Sequence, residues 1–478
     1  IALILSLSNG FDLQISKFEK STLSAMPIII SEQSMNMDED AMAQLEEDME
    51  NTDNDYPDIS YIIPSEPDID KYIRKNNLTE QYMNYLEKMD SKYVSGISYT
   101  YMTGLNLIQK NSEGIKLYNS QTLGLTNLPH TLSDEASSVI EERYDILAGR
   151  EAKNANELFL IVDSKNRVSL DILEALGINT TNNIPYNDIL GKGIDIVWND
   201  DFYLEVGNYY IPNTNLEELY LNENNYSLTI VGIGRLKKDY PSMISSSGLC
   251  YTNELMKYVI DKNSQSKIVS VQENASYNVM TGEMFDLTTE EGKEAKNNLL
   301  KYLGSSKVPY VVQIYPKDFD SKEYITDYLE KYNDGLIEEE KIVYIDQADL
   351  MSSLSGDIMD AITIVLVAFS SISLVVSSIM IGIIMYISVL ERTKEIGILR
   401  SLGARKKDIS RVFNAETFII GVTSGLIGIL IARLLLIPTN SLLLDLTNLE
   451  NVAVMNPVHA IILITVSVIL TLIGGYTC

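Results

Sequence analysis

The hydrophobic pattern divides the chain in two. Between Asp360 and Glu391 lie 30 residues without a charge, Ala361 to Leu390. As a helix that run is about 45 Å long, more than the ~30 Å hydrocarbon core of a bilayer. Thr417 to Pro438 forms a second apolar run, interrupted only by Arg433, and Pro457 to Cys478 forms a third. A single such run is compatible with the buried helix of a soluble protein, whereas three in succession predict membrane spans. Residues 12–360 carry the shorter periods of a mixed α and β domain. Apolar, β-rich runs at Glu157–Val162, Ile194–Trp198, Ser227–Gly232 and Val308–Tyr315 predict strands. Beyond the last of these, Asp320-Ser321-Lys322-Glu323 reads as a helix cap, and Tyr324, Tyr328 and Tyr332 repeat with Ile325 and Leu329 at helical spacing. Leu350, Leu354, Ile358 and Ile362 keep an i, i+4 stripe up to the first long run, which predicts one continuous stalk helix.

The chain opens at Ile1, and Ile1 to Leu7 are apolar or small. That is far short of the roughly 20 residues a span needs, and no basic segment of a signal peptide precedes it. The expectation is the outer end of a first transmembrane helix, residues 1–11, whose beginning is cut away, with the last helix cut in the same manner at Cys478.

Charge fixes an orientation. The chain has 37 bases and 66 acids, a formal charge of −29. Residues 361–478 hold 8 of the bases and 6 of the acids, so residues 1–360 hold the other 29 and 60, a net of −31. An acidic body of that size excludes a nucleic-acid binder, which needs a basic face. Between the first two long runs, Glu391–Glu416 carries Arg392, Lys394, Arg400, Arg405, Lys406, Lys407 and Arg411. The connection Thr439–Asn456 has Asp445 and Glu450 and no Lys or Arg. By the positive-inside rule 391–416 is cytoplasmic, 439–456 is outside, and the large domain is extracytoplasmic on a multi-pass plasma-membrane protein. Membrane lipid is then an obligatory partner. Residues 21–70 contain 14 acids and no Lys or Arg. No EF-hand glycine follows Asp53-Asn54-Asp55, so a solvated acidic insertion over 31–70 is expected rather than a calcium site.

Candidate chemistry is sparse. Two cysteines, Cys250 and Cys478, and two histidines, His130 and His459, do not make a zinc site. Gly191-Lys192 lacks the first glycine of a phosphate-binding loop, and Gly292-Lys293 lacks its hydroxyl. Neither a G-x-S-x-G elbow nor an H-E-x-x-H helix occurs. No catalytic, cofactor-binding or metal-binding residue is expected in this chain. Gly421, Gly425 and Gly428 are spaced to let a neighbouring helix approach closely in lipid.

The most distinctive stretch is Leu390-Glu391-Arg392-Thr393-Lys394-Glu395-Ile396-Gly397-Ile398-Leu399-Arg400-Ser401-Leu402-Gly403-Ala404. It resembles the cytoplasmic signature of FtsX-like permeases, E-R-x-x-E-I-G-x-x-[RK]-[AS]-x-G-A. Glu416 with Gly421, Gly425 and Gly428 is similar to that family's third span, and Gly474-Gly475 to the start of its closing motif. Leu147-Ala148-Gly149-Arg150 with Glu157 resembles the L-x-G-R…E pattern of a MacB-type core domain, and Leu228–Gly232 its later strand. The resemblance implies an α+β extracytoplasmic domain inserted between the helices of a four-helix membrane domain. The expected division is 1–11 for the first helix, 12–349 for the outer domain, 350–390 for the stalk and second helix, 391–416 for a coupling loop, 417–438 for the third helix, 439–456 for an outer loop and 457–478 for the fourth helix. It further implies a MacB-type ABC transporter permease, forming a homodimer and working with a separate or fused ABC ATPase that binds ATP and Mg. The coupling residues would be Glu391, Arg392, Glu395, Ile396, Gly397, Arg400, Gly403 and Ala404. Within them Ile396, Leu399 and Leu402 would supply apolar contacts, registered by Glu395 and Arg400. Peptides, antibiotics or lipopeptides would be exported, with an extracytoplasmic adaptor as a further partner. The alternative of the same resemblance is a transmembrane signal transducer that regulates a cell-wall hydrolase.

Overall fold

The computed structural model describes residues 2–21, 26–35, 59–62, 73–120, 123–133, 137–178, 183–238, 240, 247–447 and 452–476, without the side chains of 15–21, 349–360, 385, 406, 413, 447 and 474–476. Most of the acidic stretch expected over 31–70, and the Leu350, Leu354 and Ile358 stripe, lie outside the described residues and side chains. The chain separates into an α/β unit, Lys20–Ala348, and a helical unit made of Ile1–Glu19 and Asp349–Cys478. The helices that position their parts are, in chain order, α1 (Ala2–Ser21), α2 (Glu80–Leu86), α3 (Asn253–Asn263), α4 (Phe319–Asn333), α5 (Gln347–Glu391), α6 (Thr393–Ser401), α7 (Lys406–Thr447) and α8 (Pro457–Tyr476).

The α/β unit contains two main sheets. One has four antiparallel strands in the order Ile345–Asp346, Ile28–Ser31, Val311–Pro316, Val94–Thr100. Its first and last strands in the chain are therefore neighbours, with Ile28 opposite Asp346. Alternation puts Ile28, Ile30, Val312 and Ile314 into one core, where Tyr82 and Leu86 of α2 and Ile325 and Leu329 of α4 close over them. Two tyrosines lock those helices together: Tyr85 Oη donates to the Tyr328 carbonyl at 2.7 Å, and Tyr328 Oη to the Tyr85 carbonyl at 2.9 Å. The cap of α4 falls at Asp318, two residues before the expected Asp320. Asp318 has extended backbone, so its Oδ1 can accept from the Ser321 N–H at 2.8 Å.

The second sheet is mixed, ordered Gly114–Tyr118, Leu107–Asn111, Gly193–Ile196, Tyr226–Leu236, Glu157–Val162, Gly248–Tyr251, Thr126–Asn127, with Tyr144–Gly149 beside the far half of Tyr226–Leu236. Glu157–Val162 is central and buried along its length, which accounts for its unbroken apolar pattern. Both motifs noted in the sequence meet at one crossing. Tyr226–Leu236 shifts register between Ile230 and Gly232, and the Val231 carbonyl accepts from the Arg150 N–H at 3.0 Å. Gly149 has φ +72°, and a Cβ on it would overlap that carbonyl. A Cβ on Gly232 would overlap the Arg150 carbonyl. Arg150 can then reach the carboxylate of Glu157, which is buried and also accepts from the N–H groups of Lys153 at 2.9 Å and Asn154 at 3.1 Å and from Asn154 Nδ2 at 2.8 Å. The Arg150 guanidinium, with those backbone donors, holds the Glu157 carboxyl well below the usual range.

In the helical unit, α5 and α7 each contain a stretch long and apolar enough to cross a membrane, Ala361–Glu391 and Lys407–Leu446, and α8 contains a shorter one, Pro457–Ile473. Val365, Phe369, Ile372, Val376 and Ile379 of α5 are all more than half exposed, so α5 is not the core helix of a water-soluble fold. Several helices overrun their expected limits: α1 continues to Ser21 rather than ending at residue 11, and α7 runs through Pro438 to Thr447 rather than spanning 417–438. The glycines divide. Gly421 is buried against α8, where a Cβ would overlap Thr471 Oγ1 and come within 2.9 Å of Val468 Cα. Gly425 faces Ile464 and Ser467, and Ser467 Oγ donates to the Gly421 carbonyl at 3.0 Å. Gly428 has nothing within 4 Å.

Two outcomes are expected. Glu157→Gln should destabilise the α/β unit by about 1.5–3 kcal/mol, the range for a hydrogen bond to a charged group, read as a lower urea midpoint by fluorescence of Trp198, the chain's one tryptophan. Because folded Glu157 titrates below the ~4.3 of a free glutamate, its contribution is complete above that pH and is lost as the pH falls toward the folded value. The gap between wild type and variant should therefore narrow in acid; an equal gap at neutral pH and near pH 3 would contradict the assignment. In the helical unit, Gly421→Val should lower the thermal midpoint of the full chain in detergent by circular dichroism, while Gly428→Val leaves it unchanged. Equal effects would show that the α7–α8 contact does not depend on Gly421.

Candidate functional site

The chain leaves α5 at Glu391 and must reverse before α7 begins at Lys406, and α6 occupies that turn. A helix end leaves carbonyls without partners, and here two are met by the backbone that follows. The Gly403 N–H donates to the Arg400 carbonyl and the Ala404 N–H to the Leu399 carbonyl, both at 3.1 Å, with Gly403 at φ +97°. This paired closure needs a left-handed residue at its turn, so Gly403-Ala404 is a backbone requirement. The next residues start α7: the Arg405 N–H donates to Asp408 Oδ2 at 3.3 Å. At the other end Thr393 Oγ1 donates to the Leu390 carbonyl at 2.9 Å. Arg392 Nη1 reaches both carboxylate oxygens of Glu416 at 3.1 Å, tying the end of α5 to α7.

Held this way, α6 presents an apolar face. Ile398, Leu399 and Leu402 are 60%, 48% and 80% exposed. At about 100° per residue these three lie on one side of the helix, with Glu395 among them, and Arg400 lies on the other side with Ile396. Ile396, expected on the outward face, is half-buried, and Ile398, which the sequence reading had not singled out, takes that place. Glu395 stands in the first turn and Arg400 in the last, each where the helix dipole favours its charge. Arg392–Glu416 is the ion pair of this turn among the described residues, and Glu391, Glu395 and Arg400 are exposed there. Gly397 is also exposed, with nothing within 4 Å.

A second constellation in the same unit escaped the sequence reading. The connection expected as an outer loop over 439–456 ends in a segment fixed on two sides. The Asn440 side chain donates to the Ala453 carbonyl at 2.9 Å and accepts from its N–H at 2.8 Å. The Val454 N–H donates to the Ser6 carbonyl at 2.9 Å, and Asn9 Nδ2 donates to the Val454 carbonyl at 3.0 Å. Gly10 allows this approach, because a Cβ there would overlap the Val452 carbonyl. Asn9 and Asn440, polar residues in apolar surroundings, were the available signal. Among the described residues no group of three or more His, Cys, Asp or Glu side chains converges as a metal site would require.

Comparison with known proteins places these features. The family described as FtsX-like permease C-terminal matches residues 367–478. A macrolide export ATP-binding/permease protein MacB of Bdellovibrio bacteriovorus is 43% identical over 82 residues, 17% of this chain and 12% of that protein. An ABC transporter permease of Methanocaldococcus jannaschii is 40% identical over 88 residues, 18% of this chain and 24% of its own length. A pyoverdine export ATP-binding/permease protein PvdT of Pseudomonas entomophila is 41% identical over 75 residues, 16% of this chain and 12% of that protein. The matched stretches thus cover between an eighth and a quarter of these relatives. With its short helix closed by Gly403 between two long apolar helices, the C-terminal part of the chain matches the FtsX-like permease C-terminal family over residues 367–478 and is similar to MacB and other ABC transporter permeases there.

Proposed function

We propose that the chain is the permease subunit, or the permease part, of a MacB-type ABC transporter. It passes ATP-driven movement of a nucleotide-binding domain to the α/β unit across the membrane, for export of peptides, antibiotics or lipopeptides. The observation that carries this reading is the exposed trio Ile398, Leu399 and Leu402 around Glu395, on a helix braced at both ends. Aliphatic side chains left in water forgo about 25 cal/mol per Å² of burial, which a complementary cleft on a partner recovers. The seven bases of Glu391–Glu416 favour the cytoplasmic side for this surface, where an ATPase would meet it. The MacB and PvdT relatives are both ATP-binding/permease proteins, which favours such a partner or fused domain.

In this reading α1, α5, α7 and α8 are the four spans and the α/β unit is extracytoplasmic. The chain itself holds no cofactor and no catalytic site; ATP and Mg bind the ATPase. Two copies act as a homodimer, because two ATPase subunits closing on each other need two grips to move. An extracytoplasmic adaptor would extend the path of the exported molecule. Arg392–Glu416 makes the grip move with α5 and α7 together rather than as a loose loop.

The test is charge reversal on α6. Glu395→Lys and Arg400→Glu should each reduce export or resistance in cells by at least about tenfold, a loss of roughly 1.4 kcal/mol of coupling, with normal membrane levels and ATP turnover retained. Full export by both variants would remove the coupling assignment.

A further inference from the structure

The α/β unit contains a cleft of about 540 Å³, within the size range of small-molecule sites. One wall is a face of α2 with its capping residue: Met83, Asn84 and Glu87 line it at helical spacing. The facing wall comes from α3, and Tyr99, Tyr101 and His130 lie between them. Its charges are unequally satisfied. Lys307 pairs with Asp261 at 2.8 Å, and Lys257 with Glu254 at 3.2 Å, so each lysine of the cleft has a nearer carboxylate than Glu87. Glu87 has no lysine or arginine within ion-pair distance among the described residues; its ion-pair neighbour is His130, and Lys257 acts on it at longer range. Its Oε1 accepts from Tyr99 Oη at 2.7 Å and lies 3.2 Å from His130 Nε2. Those two contacts fix the carboxylate and leave Oε2 without a hydrogen bond among the described residues. The Glu87 side chain is 39% exposed, so a ligand can reach it. His130 Nδ1 is buried with no partner, an uncompensated polar atom of the kind that structural sites avoid.

We propose that this cleft binds an amphipathic organic cation. Its ammonium would sit on Glu87 Oε2, where a charge-assisted hydrogen bond forms with a carboxylate already oriented. Its apolar body would lie on Tyr101, Met83 and Ile260, with the tyrosine face adding a cation–π contribution. An anion would meet Glu87 and Glu80 with both lysines already paired, and a purely apolar ligand would leave Glu87 desolvated and unmatched. The inference is independent of the coupling reading, since neither α6 nor any helix of the helical unit takes part.

The experiment uses the full chain in phosphatidylcholine nanodiscs, with calorimetric titration of 4-phenylbutylammonium and of its uncharged counterpart 4-phenylbutanol, each referenced to empty nanodiscs. The ammonium should bind saturably and the alcohol at least about tenfold more weakly. Glu87→Gln, which keeps an acceptor for Tyr99, should weaken ammonium binding by a similar factor. Asn84→Trp leaves Glu87 intact and fills the exposed wall, and should abolish binding with an unchanged thermal midpoint by circular dichroism. Unsaturable binding, equal binding of the alcohol, or retention of ammonium binding in either variant overturns the proposal.

Discussion

A chain that leaves one long apolar helix and enters another must reverse while its backbone groups stay paired. In this protein Gly403 makes that possible. Its left-handed backbone lets the Gly403 and Ala404 N–H groups turn back onto the carbonyls of Arg400 and Leu399, so α6 ends within one residue and α7 begins three residues later. Arg392–Glu416 then holds the other end of the turn to α7. With both ends fixed, α6 has no freedom to bury Ile398, Leu399 and Leu402 against its own chain, and they remain a surface. The proposed function rests on this aliphatic surface, kept exposed by a rigid backbone.

The same economy of backbone explains the α/β unit. Gly149 and Gly232 exist to let two strands cross at Val231, and that crossing puts Arg150 over the buried Glu157 carboxylate. A buried carboxylate with three further hydrogen bonds would be costly to leave uncharged or unpaired, so the crossing, the ion pair and the central strand stand or fall together. The pairing of Ile28–Ser31 with Ile345–Asp346 means that the first and last strands of this unit form one ladder. A force applied to either is felt by the other through backbone hydrogen bonds.

Much of this is legible in the sequence. Glu157–Val162 reads as a strand because a central strand has two buried faces, and the L-A-G-R…E pattern points to a real contact because Gly149 and Arg150 serve one geometry. Gly403-Ala404 was visible as a motif, though its reason, a left-handed helix closure, is a backbone property that residue types only imply. Other parts were hidden for physical reasons. Ile396 and Ile398 are identical in type and two positions apart, and only the pitch of α6 against its flanking helices decides which is outward. Gly421, Gly425 and Gly428 recur at helical spacing, yet Gly421 and Gly425 face α8 while Gly428 has nothing within 4 Å. The Ser6–Val454 and Asn9–Val454 bonds join segments distant in the chain, and no local pattern encodes a partner that far away. The Glu87 cleft belongs to the same class, since α2 and α3 lie far apart in the chain and only the folded unit brings them to one cleft.

The most direct measurement is which side of the membrane each part occupies. Single cysteines at Ser401 and Lys293, both exposed, would be labelled in intact cells with an impermeant maleimide after Cys478→Ser. Cys250 adds little background, because it is buried and its thiol is pushed up to about 11 by that burial. The account requires labelling at residue 293 in intact cells and at residue 401 only after the membrane is opened. Labelling of both positions from the same side would contradict it.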